Sequence, residues 1–163
     1  MILGAISDTH DNAEAVDRAV KLFNERGVKF AVHGGDWCAP FTLLRFKALK
    51  AELKGVYGNV DGERQKLMEY GKSLGYELGE FVEFEAEDVK VSVIHGVDER
   101  LVKALAKCGE YTLVVRGHTH KQGLVNLGGC LILNPGEACG YITGKRSAAV
   151  INLKTMYVEF IEL

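Results

Sequence analysis

The chain has 163 residues, 47% hydrophobic and 26% charged, with 20 basic and 22 acidic side chains and a net charge of −2. Such a chain buries about two-thirds of its unfolded surface and needs no disulfide to have a core, which excludes a disordered or fibrous protein. No apolar run spans a membrane, no basic stripe favours nucleic-acid phosphates, and MILGAISDTH lacks the basic start of an export signal. These features predict one cytoplasmic domain over residues 1–163, without a membrane partner.

ILGAIS (2–7) reads as a buried strand. A helix follows over 12–27, with Val16, Ala19, Val20 and Phe23 at helical spacing, Asp11 or Asn12 as cap and Gly27 as stop. KFAVHGGD (29–36) is a second strand, 40–50 a helix opened by Pro40, 52–59 a third strand and 62–74 a third helix. EFVEFEAEDVKVSVIHG (80–96) alternates about a polar turn, as a hairpin does. A helix over 98–108, a strand over 111–117 and short strands over 123–127, 130–133, 147–153 and 156–162 complete the chain. Strand–helix alternation followed by hairpins indicates an α/β protein with a mixed sheet or two facing sheets. Cys38, Cys108, Cys130 and Cys139 form no C-x-x-C pair, which suits a reducing compartment better than a zinc ribbon.

The strand ends carry the chemistry. They deliver Asp8-Thr9-His10, Gly34-Gly35-Asp36, Gly58-Asn59-Val60-Asp61, His95-Gly96 and Gly117-His118-Thr119-His120 into glycine-rich loops. In open α/β sheets ligands bind at the carboxyl ends of strands, so five such ends point to one site. Asp8, His10, Asp36, Asn59, His95, His118 and His120 offer carboxylate, amide and imidazole donors suited to divalent first-row metals. Seven donors exceed the three or four that a catalytic zinc uses, and suffice for two ions sharing a carboxylate. Taken singly, each has an ordinary explanation: a cap, a turn residue, a histidine satisfied in the core. Together they do not, because four of the five histidines fall in these positions. The fifth, His33, reads as structural, and Cys38 as a buried thiol. Tight glycine turns leave room beside the ions.

The ordered set D-x-H, G-D, G-N-x-D, H and G-H-x-H, from Asp8 to His120, resembles the calcineurin-like metallophosphoesterase superfamily. The short chain, the G-N-V-D variant and Asn134-Pro135-Gly136 resemble its compact branch of small bacterial and archaeal phosphodiesterases. The resemblance implies a four-layer α-β-β-α sandwich with two facing mixed sheets. It also implies that Asp8, His10 and His120 hold one ion, that Asn59, His95 and His118 hold another, and that Asp36 bridges them. The implied reaction is hydrolysis of a small phosphodiester by hydroxide shared between two divalent ions. Manganese is the leading candidate metal, with nickel, iron, zinc and cobalt as alternatives. Asp36, Asn59, His118 and His120 would take part directly.

Two departures bear on specificity. Larger members carry histidine where this chain has Val60, which can neither donate nor accept a proton. Asp61 can then orient the site or cap the next helix. The branch commonly reads N-P-G-S where this chain has Glu137, a carboxylate that either borders the site or points to solvent. Arg64, Arg100, Lys121 and Lys145 are candidate phosphate contacts, although solvated charge is the simpler reading for each. The rival functions are a non-catalytic protein-binding scaffold like the retromer subunit of this fold, a phosphomonoesterase and a nuclease. A homo-oligomer is compatible with the sequence.

Overall fold

Ile2–Ile6 carries no polar side chain, as expected of a strand covered on both faces. In this strand, β1, Leu3 and Ala5 point one way and Ile6 the other, following the two-residue period. Gly4 also points toward the helix side, where a β-carbon would meet the ring of Phe23 at 3.0 Å. The computed structural model describes residues 1–163. Helix α1 (Ala13–Glu25) starts at Asn12, whose side chain accepts from Ala15 N at 3.1 Å, and Gly27 leaves it with φ +64°. It buries Val16, Ala19, Val20 and Phe23, as the spacing predicted.

The first sheet continues with β2 (Phe30–His33), β3 (Glu52–Val56) and β4 (Glu77–Gly79), and its other strands are β10 (Ser147–Asn152) and β11 (Tyr157–Glu162). Its order is β11-β10-β1-β2-β3-β4, parallel from β1 to β4 and antiparallel at β10 and β11. The second sheet contains β5 (Phe81–Ala86), β6 (Val89–Ile94), β7 (Leu113–Arg116), β8 (Gln122–Leu127) and β9 (Cys130–Pro135). It runs β5-β6-β7-β9-β8, parallel in its centre and antiparallel at both edges.

The sheets pack face to face through Leu3, Ala5, Val32 and Val56 against Val91, Val93, Leu113, Val115 and Leu133. Helices α1, α2 (Pro40–Leu44) and α3 (Arg64–Ser73) cover the outer face of the first sheet with Phe23, Leu43 and Leu67. Helix α4 (Glu99–Lys107) covers the second through Val102 and Ala106 on Val114. The four-layer sandwich is therefore present. It aims the carboxyl ends of β1, β2, β3, β6 and β7 at one edge.

Three expectations needed correction. The helix over 40–50 stops at Leu44 and tightens into a 3-10 turn over Arg45–Ala48. Asn24 of α1 captures that turn, donating to Ala48 O and accepting from Lys50 N, each at 2.8 Å. Strand β4 has no signature in the sequence because it has three residues and exists by pairing with β3. The strands expected over 29–36 and 52–59 end at His33 and Val56; the remainder is the loops that build the site.

Candidate metal centre

The loops after the strands are bound to one another before any side chain is considered. Asp8 N donates to Gly35 O at 3.0 Å, His10 N to Asp36 O at 3.1 Å, and Gly117 N to His95 O at 3.1 Å. Asp8, His10, Asp36, His118 and His120 all have φ between +40° and +68°. Positive φ is uncommon outside glycine, tolerated best by Asn, Asp and His, and clusters at functional sites. Five of the seven predicted donors therefore sit in a conformation that the fold imposes at some cost.

All seven predicted residues converge. The donor atoms of Asp8, His10, Asp36 and His120 lie within 4.8 Å of one another. Asp36 Oδ2 is 3.6 Å from His10 Nε2 and 3.3 Å from His95 Nε2, so it stands between two donor groups. On the far side, Asn59 Oδ1 is 2.9 Å from both His95 Nε2 and His118 Nδ1. Asp8 is held from behind by His118 N, which lies 3.2 Å from each carboxylate oxygen.

The chemistry of these contacts fits divalent cations. His95 Nδ1 lies 2.7 Å from the Gly34 carbonyl, an acceptor only, so Nδ1 carries the hydrogen. In the neutral ring, Nε2 then presents a lone pair to Asn59 Oδ1 and Asp36 Oδ2, which are also acceptors. A cation reconciles three converging lone pairs. Burial drives the His95 pKa down, but the Asp36 carboxylate more than offsets this and raises it. Burial also pushes the Asp8 carboxyl above its ordinary range. On the first side, His10 Nε2 is buried without a hydrogen-bond partner. An unpaired buried polar atom is costly and calls for a ligand.

For Glu137 and Asp61 the structure selects between the two readings that the sequence left open. Glu137 is fully buried rather than solvent-facing. Its Oε2 accepts from His120 Nδ1 at 2.7 Å, which leaves the Nε2 lone pair free to bind a cation, 3.4 Å from Asp8 Oδ1. The same carboxylate accepts from Ile142 N at 3.1 Å, from Thr143 N, and from Thr143 Oγ1 at 2.6 Å. Burial would raise its pKa, but the bonds from Thr143, His120 and Ile142 prevail and hold it at about 2. Asp61 does not cap α3, whose N-terminal flank is Glu63. Buried instead, it accepts from Asp36 N at 3.1 Å, Cys38 N at 2.8 Å and Gly58 N at 2.7 Å, fixing two donor loops together.

His33 is structural: Thr9 Oγ1 and Gly35 N each lie 3.1 Å from a ring nitrogen, and the ring stacks on Trp37 at 3.4 Å. Burial holds its pKa well below the ordinary value, so the ring is neutral. Cys38 is half-buried, not buried, with Sγ 3.5 Å from His10 Nδ1. Arg64 braces the Asn59 loop, donating to Gly58 O at 2.9 Å and Asp61 O at 3.1 Å. Arg100 pairs with Asp98, and Lys145 is exposed. Lys121 lines a different cavity with Lys103 and Arg116. None of these four basic residues lines the cleft above the donors. That cleft, of about 390 Å³, is walled by His10, Asp36, Asn59, Val60, His118, His120, Tyr141 and Ile142.

Glycine is required where Gly58 passes Asp36. A β-carbon there would overlap Asp36 Oδ1 and lie 2.6 Å from its carboxyl carbon. Gly58→Ala should cost about 1–3 kcal/mol through overpacking, or several degrees in Tm for a chain of this length. Thermal unfolding of the metal-free protein measures the loss, and metal titration should show weakened binding as Asp36 shifts.

Comparison with known proteins agrees with this architecture. The calcineurin-like phosphoesterase superfamily domain matches residues 1–156. The chain is 35% identical over 164 aligned positions to phosphodiesterase MJ0936 of Methanocaldococcus jannaschii, covering 99% of each sequence. It superposes on the solved structure of an archaeal phosphodiesterase with a TM-score of 0.97, 33% identity and complete coverage of both chains. It also shares its fold, at TM-score 0.76 and 14% identity, with Vps29 of Chaetomium thermophilum, covering 100% of this chain and 95% of that one. No helix is long and apolar enough to cross a membrane. The convergent donors, the sandwich and these likenesses lead to one conclusion: the chain belongs to the calcineurin-like phosphoesterase superfamily.

Proposed function

We propose that residues 1–163 form one catalytic unit that hydrolyses small phosphodiesters with two divalent ions, manganese foremost. The observation that carries this reading is the position of Asp36 Oδ2, 3.6 Å from His10 and 3.3 Å from His95. In this assignment Asp8, His10 and His120 would hold one ion, Asn59, His95 and His118 would hold the other, and Asp36 would be shared between them. Bound there, the ions supply Lewis acidity to the phosphate and to the attacking water. The relative named above as a phosphodiesterase supports the ester class.

The protein's own contribution is placement. Asp36, Asn59, His118 and His120 wall the cleft, and a phosphate seated there would face them. Glu137 keeps the His120 Nδ1 hydrogen turned away, and the Gly34 carbonyl does the same for His95. No lysine or arginine lines the cleft, so the two negative charges of a monoester find no cationic side chain there. Val60 lines it where a proton donor would assist a poor leaving group. Phosphodiesters with good leaving groups are therefore preferred. The four free thiols suit a reducing cytoplasm.

Metal-stripped protein assayed on a bis-aryl phosphodiester, with and without manganese, tests the reading. Manganese-dependent turnover is expected. No turnover with any divalent ion would overturn it in favour of a binding role. Val60→His should raise alkyl phosphomonoester turnover by about 10²-fold, the lower end of general-acid assistance. An unchanged monoester rate at intact metal content would refute the role given to Val60.

A further inference from the structure

The cleft over the donors has an unusual rim. Tyr141 and Ile142 line it while remaining 65% and 72% exposed, and Val60, on the Asn59 loop, is 46% exposed. Apolar side chains left open around one cleft offer a surface that a ligand in that cleft could cover. This rim is not a loose loop. Gly140 and Gly144, with φ of +71° and +74°, bracket the turn. The Glu137 carboxylate holds it by Ile142 N, Thr143 N and Thr143 Oγ1, and the same carboxylate holds His120. The wall and a predicted metal donor thus share one anchor, so the distance between them is fixed.

We propose that Tyr141 and Ile142 seat a flat apolar arm of the substrate: an aryl or nucleobase group on the ester oxygen that is not broken. The inference rests on the phosphodiesterase reading and adds a substrate class to it. Only a diester has a second arm to place against the wall while its phosphorus sits over the donors. The cleft's lack of cationic side chains suits the single negative charge of such a diester. A phenolic ring and an aliphatic side chain offer a flat surface with little rotamer freedom to lose, and a prefixed surface binds at lower entropic cost.

The test uses diesters that share 4-nitrophenolate as leaving group and differ in the other arm: methyl, phenyl or thymidine 5′. A common leaving group cancels the chemistry and isolates the arm. With manganese-loaded protein, kcat/KM for at least one ring-bearing diester should exceed the methyl value by about tenfold or more, the scale of small apolar groups in enzyme pockets. The gain should appear mainly in KM, as for binding equal in ground and transition states. Phenyl against thymidine tells an aryl source from a nucleobase source. In Tyr141→Ser/Ile142→Ser, whose side chains are exposed and do not endanger folding, the ring-to-methyl ratio should fall toward one. Turnover of all three diesters at one rate, or an unchanged ratio in the double variant, would overturn the inference and leave the phosphodiesterase reading intact. No turnover of any of them would overturn that reading and the inference with it.

Discussion

Asp36→Ala should lower turnover of a bis-aryl phosphodiester by at least about 10³-fold, a loss of roughly 4 kcal/mol of transition-state stabilisation. Asp36 Oδ2 is the only oxygen within 4 Å of both His10 Nε2 and His95 Nε2 among the site's ion-pair contacts. Its other oxygen accepts from Val60 N at 3.1 Å, so the carboxylate also sets the cleft wall. Burial would raise the Asp36 pKa, but His95 and the Val60 amide hold it below the ordinary range, and the group is charged near neutral pH. Removing it takes the shared charge from both proposed ions. Asp36→Asn keeps an oxygen for Val60 N and similar volume. It should therefore fold with a Tm close to the parent's yet lose comparable activity. Measured kcat/KM and metal content for both variants decide the matter; near-parental activity in either would contradict a bridging role.

Glu137→Ala should be the most destabilising single change at the site, by about 3–5 kcal/mol, the range for removing one partner of a buried charged network. It strands Ile142 N, Thr143 N, Thr143 Oγ1 and His120 Nδ1 together. Metal affinity should fall by about 10–100-fold, as when the group behind a metal-binding histidine is lost. The pH dependence has a definite sign. Glu137 has its pKa lowered from 4.5 to about 2 on folding, so its stabilisation is complete above the unfolded value. It is lost as pH falls from there toward 2. Denaturant titrations of metal-free parent and Glu137→Gln should therefore differ most near neutral pH and converge in acid. A constant difference across that interval would show that the carboxylate charge is not the source.

The cluster of seven candidate residues was legible because all of them fall at strand ends, where alternation from apolar run to glycine loop is visible in one dimension. The first helix was likewise readable, since Val16, Ala19, Val20 and Phe23 announce a helix face without help from elsewhere; the residues alone left one mixed sheet or two facing sheets open, and the four layers came from the family resemblance. What escaped the sequence depends on partners far along the chain. Asn24 ends the helix over 40–50 from across the fold. β4 is a strand only because β3 lies beside it. Glu137 and Asp61 look like loop carboxylates until His120, Asp36 and Gly58 are placed against them. The positive φ at Asp8, His10, Asp36, His118 and His120 leaves no mark in composition, because these residue types are chosen for chemistry as well. Arg64 was read as a phosphate contact or free charge, but its guanidinium is occupied by loop carbonyls.

Anomalous diffraction from crystals grown with manganese tests most directly whether two ions share Asp36. It should give two peaks about 3.5–4 Å apart, the usual spacing of paired catalytic ions. One should lie among Asp8, His10, His120 and Asp36, the other among Asp36, Asn59, His95 and His118. A single peak, or two peaks of which only one touches Asp36, would contradict that sharing.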